Sequence, residues 1–94
     1  MTSSNAYAER ALGRWVRTYH EHERLLPRVS KVRNAFRICQ ELRNYDWQVN
    51  QRRVDVFIQT MYDLQDRYPG SVAVEALYID MLEFAGYAGI NLNP

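Results

Sequence analysis

The chain has 94 residues, of which 47% are hydrophobic and 24% charged, and a formal net charge of +1. A chain of this length buries roughly 60% of its unfolded surface, enough for one domain with one core but too little for a deep substrate cleft and its supporting shell, and the apolar-to-charged balance excludes a disordered chain. Its one cysteine, Cys39, excludes an internal disulfide and points to a reducing, cytoplasmic setting.

The first predicted element is a helix over about 5–26. Ala8, Leu12 (with Ala11), Trp15 (with Val16), Tyr19 and Leu26 recur at three- and four-residue steps and so share one face. Arg10, Arg14, Arg17, Glu21 and Arg24 repeat with the same period on another face. Ser3 or Ser4 can cap the start. Pro27 ends this helix or opens the next, because it cannot donate a hydrogen bond within a helix interior.

A second helix is predicted over 28–43. Val29, Val32, Phe36 (with Ala35), Cys39 and Leu42 form its apolar stripe, and Lys31, Arg33, Arg37 and Glu41 take the other faces. Asn44-Tyr45-Asp46 reads as a turn, with Asn44 as the helix cap. The third helix spans 47–68, with Val54, Phe57, Ile58, Met61, Leu64 and Tyr68 as its apolar positions and Trp47 one turn upstream. Pro69-Gly70 stops it.

Ser71 caps the fourth helix, predicted over 72–85. Val72, Ala76, Ile79 and Leu82 make one stripe, and Ala73, Leu77, Met81 and Phe84 make a neighbouring one. Gly86 and Gly89 are read as breaking this helix, leaving a tail over 86–94 that carries Tyr87, Ile90 and Leu92. In residues 72–92, 15 of the 21 positions are apolar, more than one amphipathic helix needs. No stretch alternates with the two-residue period of a strand. The fold class that follows is all-α, a compact bundle of about four helices packed as antiparallel helical hairpins.

Two internal patterns agree with hairpins. Phe36, Cys39, Leu42, Asn44 and Tyr45 align with Tyr78, Met81, Phe84, Gly86 and Tyr87 at a common offset of 42. The run Arg67-Tyr68-Pro69-Gly70-Ser71 followed by Glu75-Ala76-Leu77-Tyr78 resembles the junction between tetratricopeptide-type helical hairpins, over about half the chain and through turn and packing residues. That resemblance implies stacked helical hairpins and, in the family, protein binding.

The charge is unevenly placed. Residues 1–53 hold eleven basic and five acidic residues, a net of +6, whereas residues 54–94 hold Arg67 against six acidic residues, a net of −5. Either the two halves pack on each other, or the split draws partners or further copies together.

Sites of chemistry are sparse. In His20-Glu21-His22-Glu23 the two histidines are two apart and point to opposite sides, so they do not make a helical metal site, which needs ligands three or four apart. Cys39 falls on an apolar stripe, as a core residue would. Gly86-Tyr87-Ala88-Gly89 follows a helix, the wrong order for a phosphate site at a helix N-terminus. Neither enzymatic activity, a cofactor nor a metal is expected. The polar opening Met1-Thr2-Ser3-Ser4-Asn5 lacks the pattern of a signal peptide. The most apolar stretch, 72–90, carries Glu75, Asp80 and Glu83, so no membrane span is expected.

What remains is binding. The expected function is a small regulatory or inhibitory protein (an anti-activator, adaptor or phage-type inhibitor) that acts on a protein partner or forms a homodimer. Its expected interface is Leu77, Met81, Leu82, Phe84, Tyr87, Ile90 and Leu92. The alternative is a nucleic-acid-binding regulator that uses Arg10, Arg14, Arg17, Arg24, Arg33 and Arg37, because arginine suits bidentate phosphate contacts.

Overall fold

The computed structural model describes residues 3–92, with side chains from Ala6 onward. The side chains of Ser3 and Ser4, expected to cap the first helix, and residues 93 and 94 at the end of the tail lie outside what is described. Four helices form: α1 (Ser3–Glu21), α2 (Ser30–Asn44), α3 (Gln51–Arg67) and α4 (Val72–Ala88). Two short 3-10 turns, Glu23–Leu25 and Trp47–Val49, sit in the connections. The described residues contain no strand, so the molecule is an all-α bundle. Its radius of gyration, 12.4 Å, equals that of a fully packed chain of this length.

The boundaries depart from sequence expectation where proline and glycine act. α1 stops at Glu21, ahead of the expected end near Leu26, and the chain turns through the first 3-10 segment. Leu26, directly before Pro27, is extended (φ −75°, ψ 147°), because the proline ring disfavours helical geometry in the residue before it. Val29 is extended as well, which delays α2 to Ser30. Asp46 accepts a hydrogen bond from the Gln48 amide at 3.0 Å and starts the second 3-10 turn, so Trp47 lies outside α3. Ser71 caps α4 as expected, accepting from the Val74 amide at 3.1 Å.

The end of α4 needs a correction. The helix runs through Gly86 to Ala88 and ends only at Gly89, whose φ of 72° requires glycine. The Gly89 amide donates to Gly86 O (3.2 Å) and the Ile90 amide donates to Ala85 O (2.9 Å), the paired bonds of a Schellman ending. That reversal turns Ile90 and Leu92 back towards α3, where both are half-buried against the core.

Contacts along the helices fix their directions. Lys31, early in α2, meets Asp63, late in α3, and Glu41 meets Arg53 at the other end, so these two helices are antiparallel. Leu12 O accepts from Cys39 Sγ at 3.6 Å while Tyr19 stacks on Phe36 with ring centroids 4.5 Å apart, which makes α1 and α2 antiparallel. Tyr62–Tyr78 and Phe57–Phe84 do the same for α3 and α4. The most extensive contact joins the first helix to the last, α1 to α4, and closes the four helices into a ring.

The interior is aromatic along its length. Trp15 meets Phe57 edge-on (5.3 Å, 69°), Phe57 meets Phe84 (6.4 Å, 75°), and Phe84 meets Trp47 (5.5 Å, 82°). Trp15 also stacks on Tyr19 at 5.8 Å. Leu12, Leu42, Val54, Met61, Leu64, Leu77 and Met81 fill the space around these rings, all fully buried. Asp80, 9% exposed, is the one buried charged residue described, and its Oδ2 accepts from Thr18 Oγ1 at 2.5 Å across the α1–α4 seam.

Burial at this depth sets an expectation for stability. Phe84→Ala should lower the unfolding free energy by about 3–5 kcal/mol, the usual cost of emptying a buried aromatic site. Leu82→Ala, on the outer side of the same helix, should cost under about 1 kcal/mol. Urea titrations followed by circular dichroism check both values.

Candidate functional site

α4 has two apolar sides because it covers the core with one and leaves the other bare. Ala73, Leu77, Met81 and Phe84 face inward, each 2% exposed or less. Leu77, Met81 and Phe84, expected at an interface, are therefore core residues: packing against α1 and α3 uses that stripe. The outward stripe consists of Val72 (72% exposed), Ile79 (54%) and Leu82 (36%), with Ala76, Gly86 and the carboxylates of Glu75 and Glu83 among them. Val72 and Ile79, left out of the expected interface, are its most exposed apolar members. A charge at Leu77 thus reports on folding, while one at Ile79 reports on the surface.

The tail contributes less than its composition suggests. Ile90 and Leu92 lie in a hollow with Asp55, Ile58, Gln59 and Tyr62 and are half-buried there. Tyr87 is partly exposed, but its ring stacks on Tyr7 with centroids 5.3 Å apart, and Arg10 lies over Tyr7 at 4.6 Å. Of the seven expected interface residues, Leu82 and Tyr87 are exposed, and the exposed surface next to them is Val72 and Ile79.

The expected basic face divides into four places. Arg10, Arg14 and Arg17 line a groove of about 490 Å³ with Ala6, Glu9, Gly13 and Arg43. Arg43 comes from α2 and lies across Gly13, where an added Cβ would sit 3.8 Å from Arg43 Nη2. Sequence periodicity misses Arg43, since only the antiparallel pairing of α1 with α2 brings it there. Arg24 falls out of phase with the other α1 arginines because α1 has already ended, and it lies near Glu21, Glu23 and Arg28. Arg33 borders a separate hollow with Tyr19, Glu23 and Arg28. Arg37 pairs with Glu41 at 3.5 Å and lies beside Arg52 and Arg53, at an open groove floored by Ile38, Val49 and Val56.

Part of the charge split is resolved inside the molecule. Arg14 pairs with Glu83 and Lys31 with Asp63 (3.1 Å), each joining the basic half to the acidic half. Exposed pairs of this kind contribute about 0–1 kcal/mol, so they align helices more than they hold them. Arg10 and Arg17, the groove's other α1 arginines, have no carboxylate partner among the described residues.

The reactive side chains are dispersed. His20 Nδ1 lies 3.4 Å from Glu23 Oε1, while His22 Nδ1 donates to Thr18 O at 2.9 Å, so the two imidazoles are engaged separately. Among the described residues, no three of His, Cys, Asp and Glu are grouped to hold a metal ion. No described helix is long and apolar enough to cross a membrane. Comparison with protein-family models, with curated proteins and with solved structures finds no match to this chain.

Cys39 is fully buried, and burial pushes its thiol up to about 12 despite the opposing charge of Arg43. Burial likewise raises Tyr19, helped by Glu23 and opposed by Arg33. The raised thiol value has a definite sign for stability. Between the ordinary thiol range and about pH 12 the unfolded chain releases the Cys39 proton and the folded chain keeps it, so stability falls as pH rises. Below that range the group contributes no pH dependence. A thiol reagent at pH 8 should label the folded protein at least about a hundredfold more slowly than the urea-unfolded chain. Cys39→Ala should flatten part of the alkaline decline in urea midpoint above pH 9.

Proposed function

We propose that this chain is a non-catalytic binding protein that docks a protein partner on the outward face of α4. The observation that carries the reading is the exposed row Val72, Ile79 and Leu82 on a helix whose opposite face is fully committed to the core. Scattered surface apolar residues need no explanation, but a contiguous row on one helix is the kind of patch that marks an interaction surface. The mode it fits is a helix face against a complementary helix or groove, with anchors seven and three residues apart on one face. Glu75 and Glu83 border the row and favour a basic rim on the partner. A regulator or inhibitor working this way acts by covering a surface, and the dispersed reactive groups fit that role.

The test uses the tagged 94-residue chain in an affinity purification from its own host, followed by reconstitution from purified components. The retained protein should be lost on Ile79→Asp, a variant whose thermal melt should match that of wild type. Retention should survive nuclease treatment and Arg17→Glu. Retention that persists in Ile79→Asp overturns the α4 surface.

A second reading is favoured by one specific observation, the convergence of Arg10, Arg14, Arg17 and Arg43 on one groove. Four guanidinium groups so placed suit a phosphate backbone, whose binding weakens steeply with salt as counterions are released. Under that reading a low-salt mobility-shift assay shows retention that Arg10→Glu with Arg17→Glu abolishes. Absence of any shift at low salt ends it.

A further inference from the structure

We infer that the hollow between the end of α1 and the start of α2 is a binding site for inorganic phosphate, held by Arg28, Arg33, the Tyr19 hydroxyl and the first amides of α2. This hollow is distinct from the α4 surface and from the groove of Arg10 and Arg17.

The connection between the two helices builds it. Pro27 keeps Leu26 extended, and Val29 is extended as well, so the chain passes from the first 3-10 turn into α2 without folding over the gap. Tyr19 from the last turns of α1, Glu23 from the 3-10 turn, and Arg28, Ser30 and Arg33 around the start of α2 line the space. Its volume is about 230 Å³, below the roughly 300–1,000 Å³ of pockets for larger organic ligands. That size suits a single tetrahedral anion and is too small for a nucleotide.

Two independent observations point to an anion. The first is the start of α2, where Val29 offers no capping side chain. The Val32 amide donates to Val29 O at 3.2 Å, and the Ser30 and Lys31 amides ahead of it have no acceptor within the helix. Such amides, at the positive end of a 15-residue helix, attract negative charge. The second is Tyr19, only 7% exposed, whose ring stacks on both Trp15 and Phe36. Its hydroxyl has no hydrogen-bond partner among the described residues. That hydroxyl feels the charges of Glu23 and Arg33, both lining the hollow, which places it at the same end of the cavity. Burial raises the phenol above its ordinary value, with Glu23 adding and Arg33 opposing, so it stays protonated and acts as a donor. A buried donor without an acceptor is costly, and an anion in the hollow supplies one.

The charges choose among anions. Arg28 and Arg33 have no carboxylate partner among the described residues. Glu23 turns Oε1 to His20 at 3.4 Å, which leaves Oε2 as an acceptor at the rim. A carboxylate there repels a fully ionised oxygen and accepts from an O–H. Inorganic hydrogen phosphate keeps one O–H at neutral pH. Sulfate has none, and a phosphate monoester is mostly the dianion. Several donors beside one acceptor therefore fit free phosphate best.

Calorimetric titration of the 94-residue chain at pH 7 and constant ionic strength tests this site. Inorganic phosphate should bind saturably at one site, at least about tenfold more tightly than sulfate or phosphoserine. Tyr19→Phe keeps the ring and loses the hydroxyl, so it should weaken phosphate by about tenfold or more while the thermal melt stays unchanged. Arg28→Gln with Arg33→Gln, both exposed, should abolish binding. Arg52→Gln, which removes a charge that does not line the hollow, should leave binding as in wild type. Glu23→Gln should bring sulfate up to phosphate.

An equal response of wild type to phosphate and sulfate means an adventitious ion only and overturns the site. So does phosphate binding that Tyr19→Phe leaves unchanged, or a preference over sulfate that survives Glu23→Gln. Tighter binding of phosphoserine than of phosphate overturns the choice of the free ion.

Discussion

The fold depends on a chain of six aromatic rings in contact, running from Trp47 through Phe84, Phe57, Trp15 and Tyr19 to Phe36. Every helix supplies at least one ring, and the second 3-10 turn supplies Trp47. Edge-to-face and stacked pairs contribute about 0.5–1.5 kcal/mol each beyond the area they bury, and their geometry is directional. They therefore set the rotation of each helix about its own axis, which undirected aliphatic packing does less sharply. Once Phe84 points inward at Phe57 and Trp47, Ile79 is carried about 140° round α4, at 100° per residue, and faces solvent. The exposed apolar row of α4 is a consequence of where the rings sit.

The same constraint explains why α4 is apolar on both sides while the other helices are not. α1 and α2 keep charged residues on their outer faces, as helices packed on one side do. α4 keeps only Glu75 and Glu83 among Val72, Ala76, Ile79 and Leu82, and Glu83 is tied to Arg14. Its buried charge, Asp80, is held by Thr18 on α1. Asp80 and Glu83 thus join α4 to the basic first helix, and the apolar groups on its outer face are left exposed. The charge split along the chain is partly an internal device for docking the last helix on the first, and partly a rim around what that helix presents.

Much of the fold was legible because periodicity speaks directly about helix faces. Leu12, Trp15, Cys39, Phe57, Met61 and Leu64 fall on the stripes that the spacing predicts, and all are fully buried. The tetratricopeptide-like run marked the α3–α4 turn correctly, but the ring closed by α1 and α4 is a long-range arrangement that such a junction does not encode. Helix ends were less legible, since Leu26 and Gly86 show that a proline acts on its predecessor and that glycine ends a helix only where φ turns positive. On α4 two apolar stripes give the pattern no direction, so spacing alone sets Leu77, Met81 and Phe84 at the surface beside Leu82. Arg14–Glu83 and the arrival of Arg43 beside Gly13 join residues far apart in sequence, which no local spacing reveals.

The closing contact between α1 and α4 also bears on how the molecule comes into being. α1 makes most of its helix-to-helix contact with α4, so its apolar side is fully covered only once α4 is in place. Pairing the two ends of a chain is the slowest kind of contact to form, because the whole intervening loop must be ordered first. Until α4 docks, part of the apolar side of α1 therefore stays uncovered. The stretch that covers it, α4, also carries the exposed Ile79, so one helix both closes the core and presents a bare apolar row.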